Sequence, residues 1–152
     1  QRSMHYFRRI AELVLAPVLA DDHVHIKRVA TSRAASFVKV AVDTYRLGED
    51  VIAACKPLLY EFRTYTSRTI ALVKYHSELE SYIREALAPA PSRSVRRVDV
   101  YREEHQARVI VERGTIAQFL GRKGMNAAVA SKLTGYGLVL VDEGDLGKVG
   151  GA

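Results

Sequence analysis

The sequence predicts a mixed α/β fold made of two small modules in tandem, each running helix, strand, strand, helix, helix, strand. Three observations carry this expectation. Apolar residues recur at helical spacing and then alternate at strand spacing, and the whole order repeats after about 70 residues, longer than solenoid repeats. The 152 residues suffice for one ordinary domain or two very small ones. With 48% hydrophobic and 26% charged residues, the composition is that of a folded chain rather than a disordered one.

Tyr6, Phe7, Ile10, Leu13 and Val14 lie at helical spacing opposite Arg8, Arg9 and Glu12, and Pro17 ends the pattern. Val24, Ile26 and Arg28 then alternate against His25, Lys27 and Val29, and a polar turn through Ser32 and Arg33 leads to Phe37, Val38, Val40 and Val42. These read as a hairpin. Glu49 to Cys55 is short and helical, Lys56 and Pro57 interrupt it, and Leu58 to Phe62 form a further helical turn. Arg68 to Tyr75 is β-rich and apolar in its centre, a covered strand.

Ser77 with Glu80 offers a capping-box start for a helix through Leu79, Tyr82, Ile83, Ala86 and Leu87, stopped by Pro89 and Pro91. Val95 to Tyr101 and Ala107 to Val111 are two more strands. Thr115 caps a short helix through Ile116 and Leu120, the Gly121 to Gly124 segment breaks it, and Met125 to Leu133 resume it. Gly135 and Gly137 supply the stop, and Leu138 to Val141 form the last strand. The expected organisation is a first module over 1–76, a second over 77–143, and a flexible glycine-rich tail over 144–152.

No apolar run approaches the roughly 18 residues that span a bilayer, and the N-terminal stretch lacks the apolar region of a secretion signal. Cys55 is the only cysteine, which excludes an internal disulfide and a cysteine-rich zinc cluster. A soluble, cytoplasmic protein is expected, and a chain beginning on Gln1 is expected to be part of a longer one. The net charge of +6 suits phosphate backbones or anionic surfaces. Membrane binding needs basic and apolar residues segregated on one helix, whereas here the cations are scattered over strands, turns and helices, so nucleic acid is the better reading and no membrane partner is expected.

One short motif stands out by context. A Gly-x-x-Gly spacing is common, and the tail repeats it at Gly144 to Gly147 and Gly147 to Gly150. Only Gly121-Arg122-Lys123-Gly124 links two predicted helices, carries two cations and is followed by a strand. Glycines permit positive φ and close backbone approach, and the start of the following helix favours anionic oxygens. His23 and His25 have no third metal ligand spaced with them, Cys55 has no partnered His and Asp, and no catalytic constellation, metal site or cofactor site is found. Arg93, Arg96 and Arg97 form a basic cluster at the start of the second module that suits a solvated surface and phosphate contacts equally, while Tyr60, Phe62 and Tyr65 read as packing residues ahead of the alternative, base stacking.

The stretch FLGRKGMNAAVASKLTG looks like the glycine-loop motif of the K-homology fold, and RVIVERGTIAQFLGRKGMNAAVASKLTGYGLVLVDE resembles the second K-homology module of the NusA family of bacterial transcription elongation, termination and antitermination factors. ELESYIREALAPA is similar to the helix joining the two modules there, VHIKRVATSRAASFVKVAV to the first-module hairpin, and HYFRRIAELVLAPVLADD to the helix before it. The resemblance covers about residues 4 to 143, with its strongest motif at Leu120 to Gly135. It implies two tandem type II K-homology modules, αββααβ, each with a small three-stranded sheet, and single-stranded nascent RNA running over both. It also implies attachment to RNA polymerase through flanking domains, with no enzymatic activity and a monomeric chain. The glycine loop clamps the backbone of about four nucleotides in such folds. The resemblance places RNA contact at Leu120, Gly121, Arg122, Lys123, Gly124, Asn126 and Lys132, with Arg96 and Arg97 nearby.

The first module departs from the pattern. It reads ACKPLLYEFRTYTSRTIALV, without Gly-x-x-Gly and with a segment that looks too short for a full second helix. Two readings stay open there: a degenerate module kept for packing or protein contact, and an unconventional RNA surface using Lys56, Arg63 and Arg68. For the whole chain an RNA-binding module leads, and a protein-interaction module docking on polymerase or a ribosomal protein is the alternative.

Overall fold

The computed structural model describes residues 2–16, 24–33, 36–44, 57, 59–61, 63–64 and 68–150. The chain divides into two compact units, 1–76 and 77–152. In the first, helix α1 (Arg2–Val14) precedes a three-stranded sheet of β1 (Val24–Thr31), β2 (Phe37–Thr44) and β3 (Thr69–Lys74). β2 is central, antiparallel to β1 and parallel to β3. Phe7, Ala11 and Leu15 pack with Val24, Ile26, Val38, Val40, Val42 and Leu72 as the core. The i, i+4, i+8 spacing on the helix side meets the period-2 spacing on β2. Tyr6 and Leu13, which the sequence places on the apolar stripe, stay exposed.

Alternation along β1 breaks at a bulge. Ile26 faces Val42 while Arg28 faces Ala41, so Lys27 is an extra residue and the pattern shifts by one. Arg28 is therefore exposed and Val29 half-buried, against the expected alternation. The β1–β2 turn is closed by Ser32, whose hydroxyl accepts hydrogen bonds from the backbone amides of Ser36 and Phe37 at 3.0 and 3.1 Å. Residues 57, 59–61 and 63–64 are helical, as read for Leu58 to Phe62. The Glu49 to Cys55 segment lies outside the described residues.

The parallel pairing corrects one expectation. Phe37 and its partner Thr69 are 32 positions apart, and Gln106 and its partner Gly137 are 31. The first module's crossover is thus as long as the second's. Counted from β2, the positions that match Gly121 to Gly124 are Ile52, Ala53, Ala54 and Cys55, which contain no glycine.

The second unit repeats the arrangement. Helix α2 (Leu79–Ala86) leads to β4 (Val95–Tyr101) and β5 (Gln106–Val111), then α3 (Ile116–Leu120), α4 (Met125–Thr134) and β6 (Gly137–Asp142). β5 is central, antiparallel to β4 and parallel to β6. The capping box at Ser77 does not form: Glu78 is the N-cap, without a side-chain cap, and its carboxylate instead accepts the Ser81 hydroxyl at 2.8 Å. Tyr82, Ile83, Ala86 and Leu87 are buried with Val98, Val109, Phe119, Val129 and Leu133, and the Tyr82 hydroxyl donates to the Leu133 carbonyl at 3.0 Å.

Where a flexible tail was expected, Glu143–Gly150 form a helix, α5. Three glycines argue against helix on propensity, but carboxylates anchor its start. Asp142 accepts the amides of Gly144 at 2.7 Å and Gly114 at 2.9 Å, and Glu143 accepts that of Arg113 at 3.0 Å. Glu143 and Asp145 in the first turn also suit the positive end of the helix dipole.

Candidate nucleic-acid interface

The segment between α3 and α4 is a tight turn forced by left-handed backbone. Gly121 (φ 75°), Lys123 (φ 54°) and Gly124 (φ 73°) all have positive φ. Lys123 is a rare non-glycine residue there. The Gly121 amide donates to the Ala117 carbonyl and the Gly124 amide to the Gly121 carbonyl, both at 3.0 Å. This closes α3 and folds the loop onto the start of α4.

The two glycines serve different ends. A Cβ on Gly121 would lie 2.6 Å from the Asn126 Cβ and 3.0 Å from its backbone nitrogen, so this glycine is required by packing. A Cβ on Gly124 would meet nothing within 4 Å. Gly124 is the N-cap of the 10-residue helix α4 and has no side chain to cap it, and the space where its Cβ would stand is open. Arg122 and Lys123 beside it are exposed. A helix N-terminus and two cations favour a bound anion at this point.

Leu120 is 40% exposed at the edge of the loop, and Lys132 is exposed further along α4. Ala117, Gln118 and Ala128, which the sequence reading did not single out, are exposed on the two flanking helices and give a low surface beside the loop. Small residues on the solvent side of a helix are the one signal for this, and a weak one.

Asn126 stands differently from its expected role. It is buried, and its side-chain amide donates to the carbonyls of Leu87 and Phe119, both at 2.9 Å. It thus faces the interior of the unit rather than the open side of the loop.

Arg96 and Arg97 lie on the edge strand β4, and the described contacts tie them to acids. Arg96 sits 3.6 Å from Glu112 and 3.3 Å from Glu143, and Arg97 3.0 Å from Asp99. The Arg113 backbone amide holds the Glu143 carboxyl below its ordinary value, desolvation opposes it, and Arg96 adds to the lowering. Burial raises Asp99, but hydrogen bonds from Arg97 and Arg108 outweigh it and keep the carboxyl low.

In the first unit two of the three expected cations are described. Arg63 is exposed, the Arg68 guanidinium lies 5.2 Å from the centre of the Phe7 ring, and Lys56 lies outside the described residues. Tyr60, expected to pack, is 77% exposed, while Phe62, Tyr65, His23 and Cys55 fall outside the described residues. Among the described residues no group of three His, Cys, Asp or Glu is placed to hold a metal ion, and no helix is long and apolar enough to cross a membrane.

Two units with one sheet topology, the second running αββααβ with a glycine loop between its paired helices, define a protein of the tandem type II K-homology class. Residues 79–148 match the model of the NusA-like second KH domain. The second unit is thus similar to the NusA-like K-homology family over nearly its whole length. It is 28% identical over 148 residues to the transcription termination/antitermination protein NusA of Halalkalibacterium halodurans, covering 94% of this chain and 37% of that protein. The same-named protein of Bacillus subtilis is 27% identical over 151 residues, covering 94% and 38%, and that of Mycobacterium tuberculosis H37Rv is 30% identical over 125 residues, covering 79% and 35%. The chain therefore spans little more than a third of the length of these relatives. The crystal structure of APE1850 matches with a TM-score of 0.60 at 15% identity, covering 94% of this chain and 99% of that one, which supports the fold.

Proposed function

We propose that this chain is the RNA-binding region of a NusA-like factor in transcription elongation, termination and antitermination, and that its second module holds single-stranded RNA by the backbone at Gly121 to Gly124. The observation that carries this is the glycine at the N-terminus of α4, where a Cβ would meet nothing within 4 Å, flanked by exposed Arg122 and Lys123. Such a loop clamps about four nucleotides, so affinity from one module is in the micromolar range or weaker. Leu120, Ala117 and Ala128 border the path of the bases. In this reading the protein is cytoplasmic and non-enzymatic, acts as a monomer, reaches RNA polymerase through regions flanking the chain, and keeps its first module for packing or protein contact.

Titration of a labelled unstructured RNA and of a perfect duplex of the same length, at one stated salt concentration, tests the proposal. Tighter binding of the single strand is expected, and equal affinity for the duplex sinks it. The second reading, docking on polymerase or a ribosomal protein with incidental RNA contact, draws on the exposed Leu13 and Tyr60 of the first unit. Tight binding of such a protein without measurable RNA affinity would favour it.

A further inference from the structure

We propose that Asn126 is a positioning residue that sets the shape of the RNA loop from behind, by tying the end of α3 to the end of α2. This rests on the RNA-binding reading of Gly121 to Gly124. The last carbonyls of any helix lack partners within it and need donors from elsewhere. Phe119 lies in the final turn of α3 and Leu87 is the C-cap of α2, and the single Asn126 amide group donates to both carbonyls at 2.9 Å. Both hydrogen bonds are buried. Asn126 is also the residue on which the loop rests, because its Cβ and backbone nitrogen leave no room for a side chain at Gly121.

The carboxamide is the one group suited to this place. It carries two donor hydrogens on one nitrogen, as two carbonyls demand, and no charge to bury. The two acceptors also fix its orientation, with Nδ2 toward the carbonyls. Its Oδ1 is buried without a hydrogen-bond partner. An acceptor is left unsatisfied so that both donors are used, a cost that a residue serving only as a helix former would not carry. The loop thus lies between an exposed face that meets the ligand and a buried asparagine that holds its path. This one side chain links the ends of α2 and α3 to the start of α4, beside the packing of the three helices.

The test is Asn126→Ala, with Asn126→Ser as the milder variant whose hydroxyl has one donor hydrogen for the two carbonyls. RNA affinity of the alanine variant should fall about tenfold, and that of the serine variant by less. The readout that a merely structural role would not move is the double variant with Gly124→Asp: Asn126→Ala should add little once the loop is already disabled, whereas a general loss of stability would add in full. Backbone amide shifts and HN–Hα couplings of Gly121 to Gly124 should change on Asn126→Ala without RNA, while those of Val98 and Val109 stay in place. If the alanine variant does not fold, the serine variant carries the same measurements. Unchanged loop couplings, or unchanged RNA affinity where Gly124→Asp alone lowers it, overturn the positioning role and leave the RNA reading standing. If Gly124→Asp itself leaves RNA affinity unchanged, the RNA reading fails, and the couplings alone decide whether Asn126 shapes the loop.

Discussion

The two units share one sheet topology, and even one irregularity: Lys27 in β1 and Arg96 in β4 are each the extra residue of a bulge at the same place on the central strand, opposite Val42 and Ala41 in the first unit and opposite Val111 and Ile110 in the second. They differ in what they do with charge. Lys39 and Arg108 occupy the same place, the third residue of the central strand. Arg108 faces Asp99 across the antiparallel pair and reaches its carboxylate at 3.2 Å. Lys39 faces Ala30 and Ala71, and it is fully buried. Burial pushes its ammonium down from 10.5 to about 7. The second unit keeps its cations where anions can reach them. The first lacks the glycines and puts a lysine inside. The sheet topology therefore persists without the glycines of the loop, which separates the scaffold from the proposed RNA site.

Substitution of the two loop glycines should give the largest contrast. Gly121→Asp is expected to unfold the second unit, because its Cβ would lie 2.6 Å from that of Asn126. Gly124→Asp meets no neighbour and should fold, with a strain of roughly 1 kcal/mol from its positive φ. It should still lose about tenfold or more in RNA affinity, since a carboxylate at that point repels phosphate. Thermal melts read with RNA titrations separate the two. A folded Gly121→Asp with normal affinity would remove the packing argument.

Next in size is Lys39→Met. A lysine whose pKa is lowered on folding holds fewer protons in the native state than in the unfolded one between about pH 7 and 10.5. Stability of the first unit should therefore rise with pH through that window. Removing the amine should stabilise the unit by up to a few kcal/mol near pH 7 and by much less at pH 10. Denaturant titrations at the two pH values measure it, and an equal effect at both would show that Lys39 stays charged in the fold.

These contrasts also mark what was legible in the sequence. Periodicity was enough for α1, α2 and the six strands, because long apolar patterns report burial directly. The loop was legible because glycine at a helix break has few other uses. Arg28 was misplaced because one bulged residue reverses a period of two. Asn126 was misread because its partners include a carbonyl 39 positions away, which no local pattern encodes. Helix α5 was missed because its glycines oppose it and its anchors, Gly114 and Arg113, come from another turn.

A smaller effect is expected from charge at the loop itself. Neutralising Arg122 and Lys123 together should reduce the logarithmic salt slope of RNA binding by about 1.4, at about 0.7 for each phosphate contact on a single strand. Neutralising Lys56 and Arg63 should change it little. The reverse ranking would make the first unit an unconventional RNA surface.

Smallest is the effect at Arg96, where acids compete with any phosphate. Glu143→Gln keeps an acceptor for the Arg113 amide but removes one of the two carboxylates that engage the Arg96 guanidinium. Solvent screens an ion pair this exposed, so stability should barely change. The Glu143 carboxyl is held below its ordinary 4.5, so whatever it adds is present above that pH and lost as pH falls through the lowered value. Wild type and variant should then converge in acid. If Arg96 touches phosphate, releasing it should raise RNA affinity about twofold at low salt and steepen the salt slope by up to about 0.7. An unaltered slope would leave Arg96 as the link between Glu112 and Glu143 and confine the RNA site to the loop and its flanking helices.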